Sequence, residues 1–211
     1  MKKKVLLITT VIAMLAIMVG GTLAYFTAED SAQNTFTIGS VEIDVVEDFA
    51  QPNAMLPVVT VDPSDPNYVK KEAKIQNTGT NDAYVQMYVA IPKALDDVGA
   101  FVVVDTDSAD WTDRVGVGTQ LIDGTTYNIY LYRYTKVLAA NASTDNVIEA
   151  AYMAPQLDYR DGKFIMNGVE ITNYTPGTAI DIYVAAQAIQ ASGFDSYDAA
   201  LNNFTTNPWA N

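Results

Sequence analysis

Apolar and polar residues alternate with a period of two through most of this chain, the spacing of half-buried strands. Phe36 and Ile38 share one phase and Val41, Ile43 and Val45 the other, so a bulge or bend is expected at Gly39-Ser40. The stretch "EAKIQNTGTNDAYVQMYVAIP" holds two strands around Asn77-Thr78-Gly79-Thr80. In the second, Val85, Met87, Val89 and Ile91 alternate with Tyr84, Gln86 and Tyr88. In "TYNIYLYRYTKVLA", Tyr127, Ile129 and Leu131 oppose Tyr130, Tyr132 and Tyr134. Rings in these positions are expected to cover a half-wet pleated face. "KFIMNGVEI" sets two β-prone runs about Asn167-Gly168, the preferred pair of a tight type I′ hairpin. "AIDIYVAAQAIQ" is one more strand, with Ile180, Ile182, Val184 and Ala186 on one side.

Helical spacing is scarce. "SYDAALNNF" places Tyr197, Ala200, Leu201 and Phe204 on one helical face, with Asp195 or Ser196 as N-cap. Residues 93–99 and 143–151 are expected to hold short helical turns. The connection "QPNAMLPVVTVDPSDPNYVKK" carries turn-forming Asp-Pro pairs at 62–63 and 65–66. No repeat, low-complexity tract or dividing linker interrupts the pattern. The expectation is all-β: one antiparallel, jelly-roll-like β-sandwich domain over 25–211, of about eight to ten strands with a few short helices.

Residues 1–24 change the picture. Lys2, Lys3 and Lys4 precede the apolar run Val5–Val19, followed by the small residues Gly20, Gly21, Thr22 and Ala24. That is the layout of a secretory signal peptide, with Thr22 and Ala24 at the small-residue positions and the cut before Tyr25. The rival is an uncleaved anchor, since Val5–Phe26 is roughly long enough to span a bilayer. Either way the chain is exported. Cleavage would remove three lysines and no acid, leaving 9 Lys+Arg against 25 Asp+Glu, a net charge of −16. Such a surface repels nucleic acid and anionic membrane, so contact with a membrane is expected only through the signal segment.

The chain contains no cysteine and no histidine. Disulfides, thiolate chemistry, Ser–His catalysis and H-E-x-x-H zinc sites are therefore all excluded. Asp105, Asp107 and Asp110 in "DTDSAD" approach a calcium loop. Ala109 and Asp110 then hold its fifth and sixth places, and Gly116 stands where the bidentate glutamate belongs, so an acidic turn is the reading. Glu42 and Asp44 share a strand face, but among 25 acids such pairs arise by chance. Asn141-Ala142-Ser143, Asn173-Tyr174-Thr175 and Asn203-Phe204-Thr205 match a glycosylation sequon that matters only in a eukaryotic secretory route. No catalytic, cofactor-binding or metal-ligating residue is predicted.

Several stretches, in order, resemble the TasA/camelysin family of secreted Gram-positive proteins. "GGTLAYFTAEDSAQNTFTIGSVEIDV" carries the opening pattern on Thr22, Ala24, Phe26, Phe36, Gly39, Val41 and Ile43. "KIQNTGTNDAYVQMYV" is similar to the family's N-x-G-t-x-d-a-Y-V segment through Asn77, Gly79, Asp82, Ala83, Tyr84 and Val85. "YRYTKVLAANAST" and "IYVAAQAIQASGF" resemble later blocks. The resemblance implies a jelly roll cleaved by a SipW-type signal peptidase and placed at the cell surface or in biofilm matrix fibres. It also implies polymerisation by donor-strand exchange with other copies, alongside an accessory matrix protein. Here the donor would lie within residues 25–38, on Tyr25, Phe26, Phe36 and Ile38. The metallopeptidase label of camelysin does not transfer to a chain without histidine or cysteine. The expected function is thus a non-enzymatic, secreted structural subunit. The alternatives are a monomeric adhesin held by an uncleaved segment and displaying exposed tyrosine, and a secreted hydrolase working through carboxylates.

Overall fold

A computed structural model describes residues 40–49, 55–175, 178–204 and 208–209. The cleavage residues Thr22, Ala24 and Tyr25, the donor residues Tyr25, Phe26, Phe36 and Ile38, and the bend at Gly39 lie outside them.

Two four-stranded antiparallel sheets carry the fold. One runs β1 (Ile43–Phe49), β2 (Val69–Asn77), β7 (Ile148–Met153) and β4 (Phe101–Asp105). The other runs β11 (Tyr183–Gln190), β3 (Ala83–Pro92), β6 (Thr125–Arg133) and β5 (Val115–Ile122). From β2 onward the chain crosses between sheets at β3, β4, β5, β7 and, after the meander, β11, which is the alternation of a jelly-roll-like sandwich. A small meander, β8 (Leu157–Arg160), β9 (Lys163–Met166) and β10 (Val169–Ile171), stands between β7 and β11 in the chain. Among the described residues, helix is confined to α1 (Lys93–Asp96), α2 (Tyr197–Ala200) and a 3-10 turn at Leu201–Asn203.

The main core joins Ala73, Ile75, Ile148 and Met153 of the first sheet to Val85, Met87, Val89, Ile91 and Tyr132 of the second. Each large side chain so buried contributes about 1.5–3 kcal/mol. A second cluster covers the opposite face of the second sheet: Tyr88, Ala90, Tyr127, Ile129 and Leu131, with Ile122, Tyr183 and Trp209 against them. All ten residues of β3 are therefore buried. This corrects the expected half-wet tyrosine face. Tyr132 and Tyr134 lie in the main core, and Tyr88 and Tyr127 beneath the second layer.

Asn167-Gly168 makes the expected tight hairpin, with φ of 50° and 82°. Asp123-Gly124 joins β5 to β6 and Asp161-Gly162 joins β8 to β9 with the same pair of left-handed conformations. The helical turn expected from residue 93 is α1, and α2 begins where Ser196 Oγ accepts the Ala199 N–H at 3.3 Å. The turn expected over 143–151 is not helical. There the Thr144 and Val147 N–H groups donate to Ile75 and Ala73 of β2, at 2.9 and 2.8 Å, and β7 starts at Ile148. Lateral pairing satisfies those backbone groups better than an isolated turn would.

Candidate functional site

A sandwich of this kind has four terminal strands, and an undefended one is a template for another chain. β1 carries Asp44, Glu47 and Asp48. β5 is broken by a register shift between Gly116 and Gly118, and β4 has only five residues. β11 differs: its eight residues "YVAAQAIQ" contain no charge, proline or glycine, and they pair with β3 without a register break. No described strand is hydrogen-bonded to its other edge, although the start of β1 lies near it across the seam.

Beside that edge lies a cavity of about 310 Å³. Val41 and Ile43 bound it on the core side, Asn203 and Phe204 on the other, with Ala186, Gln187, Ala188 and Ile189 between. Its origin is legible in β11. The core-facing residues shrink from Ile182 and Val184 to Ala186 and Ala188, and half-buried Val41 and Ile43 do not fill the difference.

The turn between β2 and β3 holds both sides of this groove. Glu42 C=O accepts from the N–H groups of Thr78 (2.9 Å) and Gly79 (3.1 Å), and Ser40 C=O accepts from Thr80 (3.0 Å). A Cβ on Gly79 would stand 2.4 Å from the Ser40 carbonyl oxygen and 2.7 Å from the Glu42 nitrogen, so only glycine permits the approach. Asn77 is fully buried; its Nδ2 donates to Asn81 C=O (2.9 Å) and Leu138 C=O (3.2 Å), and its Oδ1 accepts from Gly79 N–H (3.0 Å). From the same turn, Asn81 Nδ2 donates to Gln190 Oε1 (3.1 Å) and Asp82 C=O accepts from Ala191 N–H (2.9 Å). Asn77, Gly79 and Asp82 thus fix the start of β1 and the end of β11 against one another.

The opposite seam, between β4 and β5, carries the acidic turn. Asp105, Asp107 and Asp113 line a cleft of about 260 Å³ with Trp111 and Tyr132. Their neighbourhood is occupied by structural bonds. Tyr132 Oη donates to Asp105 at 2.7 Å, Arg114 Nε lies 3.6 Å from Asp105, Ser108 Oγ donates to Asp145 at 2.9 Å, and Lys136 Nζ donates to Asp110 at 2.6 Å. Burial, with the Asp105 carboxylate, pushes the Tyr132 phenol far up. Among the described residues no three acids are placed to hold a metal ion, and Glu42 and Asp44 are exposed. Nor is any described helix long and apolar enough to cross a membrane.

The camelysin metallo-endopeptidase family matches residues 1–164. No curated protein matches the chain. The metal that the family's description implies does not fit the donors present: the sequence has neither histidine nor cysteine, and the acids described do not converge. The match takes in the Asn77–Val85 motif and ends within β9, leaving β11 and the segment after it beyond its limit. It covers well over half of the 211 residues, and the chain belongs to the TasA/camelysin family.

Proposed function

We propose that this protein is a non-enzymatic, secreted structural subunit of extracellular or biofilm matrix fibres at the cell surface. Cleavage by a SipW-type peptidase after Ala24 frees residues 25–38, which then add a strand to the β11 edge of the next copy. The observation that supports this reading is the undefended edge of β11 beside an uncharged groove. Head-to-tail strand addition does not close on itself, so it produces filaments. An accessory matrix protein would start or anchor them. The adhesin reading needs a surface of exposed tyrosine, whereas of the described tyrosines only Tyr159 is well exposed and Tyr84, Tyr88, Tyr127, Tyr132, Tyr134 and Tyr174 are buried.

The test is electron microscopy of chains beginning at Tyr25, alongside the Ala186→Leu variant. Wild type should form filaments. The variant, with the cavity filled from within, should stay folded and monomeric. Filaments formed equally well by Ala186→Leu would contradict strand addition at β11.

A further inference from the structure

We infer that the C-terminal strap, residues 191–204, is the selectivity wall of this groove. Phe204 and Asn203 decide which strand β11 accepts. The inference rests on the reading that β11 receives a strand from a second copy.

A strand added to β11 must alternate in step with it, one set of side chains toward the core and the other toward the outer face. On β11, Ala186 and Ala188 belong to the core-facing set, opposite Met87 and Val85. Gln187 and Ile189 belong to the other set, opposite Gln86 and Tyr84. The cavity has a wall for each set: Val41 and Ile43 for the first, Asn203 and Phe204 for the second. An incoming strand is therefore read on both faces.

The strap wall is anchored. The Phe204 ring stacks on Tyr197, with centroids 5.5 Å apart and 23° between planes. Tyr197 Oη donates to Gln86 Oε1 at 2.6 Å, and Gln86 Nε2 donates to Gln187 Oε1 at 2.8 Å. Gln86 is 2% exposed, so the wall is tied to β11 through a buried amide. Tyr84 packs edge-on against Tyr197 at 6.0 Å, holding the ring from the other side.

Charge and size then point to one occupant. None of the residues lining the cavity is charged. In a chain with 25 acids, residues 31–38, "SAQNTFTI", the last part of the donor segment, are also free of charge. The two surfaces can meet without desolvating a carboxylate. Within that segment Phe36 and Ile38 form one phase, suited to the apolar wall, and Thr35 and Thr37 the other. Threonine is small enough to pass between β11 and the Phe204 ring. A large side chain in the threonine phase would collide with it.

The test uses filaments of chains beginning at Tyr25 as seeds and follows the addition of labelled chains altered only in the donor segment. Phe36→Asp should abolish addition to every seed. Thr37→Trp should slow addition to wild-type seeds at least tenfold and recover most of that rate on Phe204→Ala seeds. Phe204→Trp, which keeps the stack on Tyr197, should slow wild-type donors as well. If Phe36→Asp chains add normally, strand addition itself is wrong. If Phe36→Asp is blocked but Thr37→Trp adds equally to wild-type and Phe204→Ala seeds, strand addition stands and the strap is not its selectivity wall.

Discussion

The two seams of this sandwich are built in opposite ways. Between β4 and β5 the loop over residues 106–114 folds across the gap. Trp111 Nε1 donates to Asp145 C=O at 3.1 Å, its ring lies 5.1 Å from that of Tyr134, and Asp105 holds both Tyr132 and Arg114. Between β1 and β11 the chain brings two strands together, fixes them to one turn, and leaves alanines where larger side chains would fill the space. The first seam is bridged by its own loop, whose acids line a polar cleft of about 260 Å³ and whose side chains are tied up in bonds within the subunit. The second seam is held by one turn and left underfilled, which is what the proposed strand addition requires.

That contrast can be broken by substitution. Trp111→Ala should cost the most stability, about 3–5 kcal/mol for a buried aromatic. Denaturant unfolding should show the loss, while any filaments formed under native conditions keep their morphology, because the closed seam takes no part in assembly. Gly79→Ala should cost about 1–3 kcal/mol, because its Cβ pushes against backbone that must move. Here assembly should fall with stability, since Gly79 positions Val41 and Ile43. Equal effects of both variants on filament yield at matched stability would erase the distinction between the seams.

The smallest effect is the share that Tyr197 adds to the pH dependence of stability. Burial, only partly offset by Arg133, pushes the Tyr197 phenol from its ordinary value of 10.0 up to about 12. The folded form keeps a proton that the unfolded strap releases at lower pH. Its contribution to stability is therefore complete below pH 10 and is lost as pH rises toward 12. Phenolate absorbance should show a late-titrating set, since burial also raises Tyr127, Tyr130 and Tyr132, and Tyr197→Phe should shrink that late step by one phenol.

Much of the fold could be read from local pattern. Alternation located β2, β3, β6 and β11, and Asn167-Gly168 marked its hairpin, because those features depend on near neighbours. Asp123-Gly124 and Asp161-Gly162 carry the same turn chemistry, but the runs that flank them alternate too weakly to mark a hairpin. The tyrosine faces were misread for a different reason. Trp209 covers Tyr88 with ring centroids 6.5 Å apart, a contact between residues far apart in sequence. The groove was equally hidden. Ala186 and Ala188 look like ordinary core positions until Val41, Ile43 and Phe204 are placed around them. The Asn77–Gly79–Asp82 motif was visible as a family signature, but its role in holding β1 to β11 emerges only from its hydrogen bonds.

The central claim is that the β11 edge receives a strand from another copy. Amide hydrogen exchange, compared between assembled and unassembled chains beginning at Tyr25, tests it most directly. The account predicts new protection concentrated in residues 184–189, with β4 and β5 unchanged. Filaments in which those residues exchange as they do in the monomer would contradict it.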